Sequence, residues 1–304
     1  HLAAQSHVAY SFQAPGATVQ ATALGTLHML EAVRRHAPAA RFYTAGSSEQ
    51  FGKVEASPQD ERTPFHPRSP YGCAKVFAYE ITRNYREAYN LFACTGIAFN
   101  HESERRGRDF VTRKISLGVA RIALGQTKSI RLGNLDAGRD WGRARDFVRA
   151  FWMMLQRLEP RDYVLGTGQT HTVFDFLVAA CRAAELPGEP MSYVESDANL
   201  LRPAEVDVLC ADASLAEREL GWTPGTPFAE LVRGMVRADL DLLAGLGLHA
   251  AGMMGVFGKH AGHGHNFAQG LCDGYLARLG IGMGTQLGLS SGVKPHTISG
   301  GVNP

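Results

Sequence analysis

An α/β fold built on a doubly wound parallel sheet, with a smaller C-terminal part after it, is the architecture this sequence predicts. Two observations point there. Short apolar runs alternate with amphipathic stretches of helical period, at the pitch of one strand and one helix per unit. The runs "RFYTAG" (41–46) and "LFACTGIAFN" (91–100) are apolar almost throughout, as strands covered on both faces are.

The elements follow in order. "ATVQATALGTLHMLEAVRRHA" (17–37) sets Val19, Ala23, Leu24, Leu27, Leu30 and Val33 near helical spacing. The strand at 41–46 comes next. "SPYGCAKVFAYEITRNYREAYN" (69–90) predicts a long helix, with Ser69 as its cap and Pro70 in its first turn. The strand at 91–100 leads to a helix over 109–126 that ends near Gly125. Helices at 145–158 and 172–184 flank the strand "DYVLGTG", and residues 202–243 predict a strand, a short helix and a final helix. The expected division is 1–125 for a nucleotide-binding part, 126–245 for a substrate-binding part that crosses back to the sheet, and 246–304 for a glycine-rich tail without clean periodicity.

The 304 residues carry 31 basic and 29 acidic side chains, a net charge of +2, which argues against a general polyanion binder. An apolar content of 45% is enough for a real core. The cysteines, Cys73, Cys94, Cys181, Cys210 and Cys272, are odd in number and widely spaced, so a disulfide framework or zinc site is not expected and a reducing cytoplasm is. No run approaches the roughly 18–20 apolar residues that span a bilayer. The chain opens at His1 inside an apparent loop.

The polarity of "YTAGSSEQFG" (43–52) at a strand end is more than a core needs. Downstream, Tyr71 and Lys75 stand four apart and so share a helix face. An ammonium beside a phenol favours the phenolate, and a phenol tuned in this way takes a proton from a sugar hydroxyl while hydride leaves the same carbon. The spacing alone also fits an ordinary helix-face pair; its place after "SP", with the serine-rich strand end upstream, favours a site.

With these residues in place, the chain resembles the extended short-chain dehydrogenase/reductases, whose fold is Rossmann-like, and among them the GDP-mannose 4,6-dehydratases. The matching segments are "LAAQSHV" (2–8), "SSEQFG" (47–52), the stretch 64–115, "LGNLDAGRDWGRARDFVRAFWMMLQ" (132–156) and "RPAEVD" (202–207), so the likeness runs over about 1–245. The resemblance implies NADP as cofactor and GDP-mannose as substrate. Tyr71 would deprotonate the C4 hydroxyl as hydride passes to NADP⁺, Glu49 would remove the C5 proton as water leaves from C6, and hydride would return to C6, giving GDP-4-keto-6-deoxymannose. Ser47, where the family usually has threonine, would hydrogen-bond the C4 oxygen. Ser48 stands where dehydratases of dTDP-glucose carry aspartate, and epimerases lack the glutamate.

The same resemblance places Leu2, Ala3, Ala4, Gln5 and Ser6 in the loop along the cofactor, together with Lys75, His101 and Arg106. Arg105 and Arg106 would lie on a loop that in relatives reaches a neighbouring subunit's cofactor phosphates, which implies a homo-oligomer, dimer or tetramer. Asn100, Arg113, Lys114, Arg139, Arg202 and Glu205 match positions near the GDP-sugar, where arginines suit the diphosphate. Ala17 replaces a tyrosine that meets the cofactor in relatives. The family's GxxGxxG fingerprint would belong ahead of His1. Asp140 and Trp141 are expected to be structural, "WMML" (152–155) to be core, and His260, His263 and His265 to reflect composition rather than a metal site. Another nucleotide-sugar epimerase or reductase, or a non-catalytic remnant that binds nucleotide or a partner, stays open as an alternative; Glu49 discriminates.

Overall fold

The computed structural model of the chain describes residues 1–200, 206 and 208–253, and of 247–253 the backbone alone. Arg202, Glu205, Cys272 and the histidines at 260, 263 and 265 lie outside the described residues. The chain divides into two compact units, His1–Leu240 and Asp241–Pro304.

The first unit begins with the short helices α1 (Val8–Gln13) and α2 (Pro15–Val19). A π-helical turn, Gln20–Leu24, then leads directly into α3 (Gly25–His36). That turn alters the face expected from the sequence. Val19 and Leu24 are exposed, while Thr18, Thr22 and Thr26 are buried. Threonine tolerates this because its hydroxyl turns back onto the helix: Thr18 donates to Ala14 O at 3.0 Å and Thr26 to Thr22 O at 2.8 Å.

Three parallel strands form the main sheet in the order β1 (Phe42–Ala45), β2 (Ala93–Ala98), β6 (Tyr163–Leu165). Helix α4 (Pro70–Tyr89) joins the first two. Strand residues alternate between faces. Phe42 and Ala93 pack with Leu30 of α3 and Tyr85 of α4 on one side. Tyr43, Cys94, Tyr163 and Leu165 pack on the other with Phe147 and Phe151 of α6 (Ala144–Met154) and with Trp222. Helices thus cover both faces, as the doubly wound reading requires. Gly96 is needed where two of these strands meet, because a Cβ there would stand 2.8 Å from the Tyr43 hydroxyl.

A second core lies around α5 (Val111–Ala123), α7 (Val173–Ala183) and α9 (Phe228–Met253), with Trp141, Phe176, Leu231 and Val236 among its members. Strand β5 (Gly138–Arg143) sits between β3 (Asn100–Glu102), to which it is parallel, and the antiparallel β7 (Thr170–Thr172). Strand β4 (Ile130–Leu132) pairs with β8 (Val194–Ser196), and α8 (Ser214–Leu220) precedes α9. Asp140 is structural, as expected: its carboxylate accepts from Thr167 N and Oγ1 and from Gly168 N at 2.7–2.9 Å. Within "WMML" the expectation of a uniform core fails. Met154 is buried, but Trp152 is 63% exposed, because the apolar face of α6 is carried by Phe147, Ala150, Phe151 and Met154.

Candidate active site

The site is built where β1 ends and α4 begins. After Ala45 the chain turns at once into a short 3₁₀ turn, Ser48–Gln50, and side chains hold the turn closed. Glu49 N donates to Ser47 Oγ at 3.3 Å, and Ser47 N donates to Gln50 Oε1 at 2.7 Å. This reciprocal cap accounts for the density of polar residues here. Gln50 is fully buried, and its neighbour Glu49 is left at the rim, half-buried.

The start of α4 faces this turn. Ser69 caps it by accepting from Gly72 N at 3.0 Å, and Pro70 occupies the first turn. Gly72 lets the two segments touch: a Cβ there would lie 2.7 Å from the backbone oxygen of Glu49. Tyr71 and Lys75 are therefore carried to the strand end, both buried. Lys75 Nζ donates to Ala45 O at 2.7 Å and lies 5.8 Å from the centroid of the Tyr71 ring. Tyr71 is hydrogen-bonded to Ser47 and feels the charges of Glu49 and Arg106.

The electrostatics differ from the sequence expectation. Burial pushes the Tyr71 phenol up to about 12, the Ser47 hydrogen bond pulls it back and the Glu49 carboxylate adds to the rise. Burial draws the Lys75 ammonium down to about 8. Lysine proximity does not outweigh burial at Tyr71, since the ammonium is turned to a carbonyl rather than to the phenol oxygen.

Strand β3 brings the next group. His101 is held by a hydrogen bond from Nδ1 to Phe99 O at 2.9 Å and by stacking on Phe147, with centroids 5.0 Å apart. Burial first, and then the nearby cations Arg106 and Lys75, press its pKa down against the effect of that hydrogen bond. The ring is thereby kept neutral, with Nε2 as an acceptor. Asn100 precedes it, half-buried. Beyond β3, Arg106 lies over the Phe110 ring at 3.7 Å, and Phe110 meets His7 edge-on at 5.3 Å. Arg105 N donates to Ser103 Oγ at 3.2 Å.

The loop at Leu2–Ser6 leaves the edge of the sheet, where His1 N donates to Tyr43 O and Ala45 N to His1 O. Leu2, Ala3 and Ser6 are exposed, and Ala4 is half-buried. Gln5 is used internally, with Nε2 donating to His7 O at 2.8 Å. The loop thus approaches Phe110 and Arg106 through His7.

The remaining described candidates are Arg139, Arg113 and Lys114. Arg139 is buried and donates to Gly138 O and to Val206 O at 2.8 and 2.7 Å, which fixes β5 to the start of the 206–212 segment. Arg113 points into the second core, where Nη2 reaches Asp239 Oδ1 of α9 at 2.6 Å. Lys114, next to it, is half-buried. Buried carboxylates escaped the sequence reading, among them Asp239, bonded also by Ser116 Oγ at 2.7 Å, and Glu102 at the end of β3. The "NHES" segment contained the second, but nothing local marked it as buried.

The residues present fit a phosphorylated dinucleotide. Lys75 offers ammonium donors at the strand end, His101 a neutral acceptor and Arg106 a planar guanidinium, all within electrostatic reach of Tyr71 or of one another.

The chain is similar to known proteins over most of its length. The family model described as GDP-mannose 4,6 dehydratase matches residues 1–235. The chain is 49% identical over 260 residues to GDP-mannose 4,6 dehydratase of Drosophila melanogaster, covering 80% of this chain and 66% of the relative. It is 52% identical over 246 residues to GDP-mannose 4,6 dehydratase 2 of Arabidopsis thaliana, covering 80% and 65%. It therefore spans about two thirds of the length of these relatives. Among solved structures, RMD from Pseudomonas aeruginosa complexed with NADPH superposes with a TM-score of 0.73 at 24% identity, covering 79% of this chain and 80% of that one. DesIV, a dTDP-glucose 4,6-dehydratase from Streptomyces venezuelae, gives 0.69 at 22%, covering 77% and 70%. These two show the Rossmann-like fold; the sequence matches are closer, and by them the chain belongs to the GDP-mannose 4,6-dehydratase family.

Proposed function

We propose that this chain carries the catalytic site for dehydration of GDP-mannose to GDP-4-keto-6-deoxymannose, with NADP as cofactor. The observation that supports this most directly is the meeting of Ser47, Glu49, Tyr71 and Lys75 at one strand end. NADP, when bound, would supply the hydride acceptor for C4 and the hydride donor for C6. The protein's own groups handle protons and position. Tyr71 accepts the C4 hydroxyl proton, Ser47 holds the C4 oxygen by a hydrogen bond, and Lys75 orients the ribose and supplies positive charge. Glu49 takes the C5 proton, made acidic by the adjacent ketone, and passes it to the C6 hydroxyl, which leaves as water; the proton held by Tyr71 balances C5 when C6 is reduced.

His101 and Arg106, with the backbone of Leu2–Ser6, would line the cofactor. Asn100, Lys114 and Arg139, together with Arg202 and Glu205, would face the nucleotide-sugar. Arg113, tied to Asp239, is a weaker candidate for direct contact. A homo-oligomer is part of the same reading. Phe77 of α4 is exposed beside a groove of about 340 Å³ lined by Phe77, Glu80, Ile81, Arg83, Asn84 and Glu87, and Met29 of the neighbouring α3 is exposed too. No helix among the described residues is long and apolar enough to cross a membrane.

The test is to incubate the purified chain with NADP⁺ and GDP-mannose and to follow the 4-keto product by mass, with light scattering for the oligomer. Loss of one water from the sugar, with no net reduction of cofactor, is the expected result. A folded chain that binds both ligands and forms no product would leave the non-catalytic alternative.

A further inference from the structure

Glu102 ends β3 with only 1% of its surface exposed. A carboxylate that deep requires partners. Thr112 Oγ1, in the first turn of α5, donates to Oε2 at 2.7 Å, and Arg106 Nε approaches the same oxygen at 3.1 Å. The Arg106 contact is an ion pair rather than an aligned hydrogen bond. One buried anion thus joins a strand end, the loop 103–110 and the start of a helix.

We propose that Glu102 is the positioning residue for Arg106, fixing its guanidinium over Phe110 so that its Nη pair faces the phosphates of the bound cofactor. The inference rests on the reading above that NADP binds at this site. The loop carries Arg105, Arg106 and Arg108 around Gly107, so an untethered arginine there would sample many rotamers and lose binding energy on ordering. Nε is the edge turned to Glu102, which leaves the other edge of the guanidinium as a planar fork. Phe110 below and His7 beside it set the plane. Burial raises the pKa of Glu102, while Arg106 and Thr112 draw it back toward the charged form.

Glu102→Gln keeps the shape and an acceptor for Thr112 but removes the charge that holds Arg106. Calorimetry on the full chain should show NADP⁺ binding weakened roughly tenfold, the scale of one charge-assisted contact. In an Arg106→Ala background the same change should have no further effect. In the unliganded chain, trypsin should cut at Arg105 and Arg108 faster in Glu102→Gln than in the parent, with the circular dichroism unchanged. Additive losses in the double variant, or unaltered affinity and unaltered cleavage, overturn the proposal. A parent chain that binds no NADP⁺ removes the cofactor reading instead, and the cleavage rates then decide alone whether Glu102 holds the loop.

Discussion

Lys75 Nζ donates to the carbonyl oxygen of Ala45 at 2.7 Å, so the second turn of α4 is fastened to the last residue of β1. The bond directs the ammonium to the strand end while burial lowers its pKa to about 8. Above that value the charge is progressively lost. Tyr71, pushed up to about 12, must shed its proton while Lys75 keeps its own, so the rate of 4-keto product formation should rise with pH up to about 8 and level off above it. Arginine keeps its charge to beyond about pH 12, so in Lys75→Arg the rise should continue above pH 8, although at a lower rate because the fork does not reproduce the bond to Ala45. A plateau unchanged in Lys75→Arg would assign the titration to another group.

Glu49→Gln tests the removal of the C5 proton. The change keeps size and removes the base, so dehydration should fall by about a hundredfold or more, the range for loss of a general base. Binding of NADP⁺ and of GDP-mannose should persist, since Lys75, His101 and Arg106 are untouched. If a simple epimerisation or reduction continued at full rate while no dehydration was ever seen in the parent, the alternative nucleotide-sugar enzyme would replace the present reading.

How much was legible in the sequence follows the range of the forces involved. The cap at Ser69 and Pro70, the strands around Phe42–Ala45 and Ala93–Ala98 and the four-residue step from Tyr71 to Lys75 are local, and each stands where expected. The threonine stripe at 18, 22 and 26 misled because hydroxyls that bond to their own helix can be buried like apolar groups. The resemblance sets Arg113 near the nucleotide-sugar, but its pairing with Asp239 was not legible, because that partner lies on a distant helix whose docking no local pattern reveals. The Tyr71 pKa was misjudged for a similar reason: burial is set by the whole fold, and it outweighs the lysine one turn away.

Gly72→Ala tests the contact between α4 and the Ser48–Gln50 turn. The added Cβ would stand 2.7 Å from Glu49 O, a backbone atom, and one segment must move. Overpacking of this kind costs about 1–3 kcal/mol. A shift approaching 1 Å between Glu49 and Tyr71 lowers the rate by up to about a hundredfold. Thermal unfolding and steady-state kinetics together should show a modest stability loss and a larger loss of kcat. Equal kcat in a folded variant would show that the spacing of the two segments is not critical.

Arg113 and Asp239 form a buried pair between α5 and α9, and their removal separates a structural from a ligand-binding role. Asp239→Asn leaves the guanidinium, 5% exposed, without its counter-charge, and Arg113→Met leaves the carboxylate with Ser116 alone. Breaking a buried pair from one side costs about 3–5 kcal/mol, while replacing both members by apolar groups of similar volume is often close to neutral. Chemical unfolding should therefore show each single variant strongly destabilised and Arg113→Met with Asp239→Leu largely restored. If Arg113 serves only this pair, the restored double variant keeps the parent KM for GDP-mannose. A KM raised tenfold or more in that stable double variant would return Arg113 to the substrate contacts.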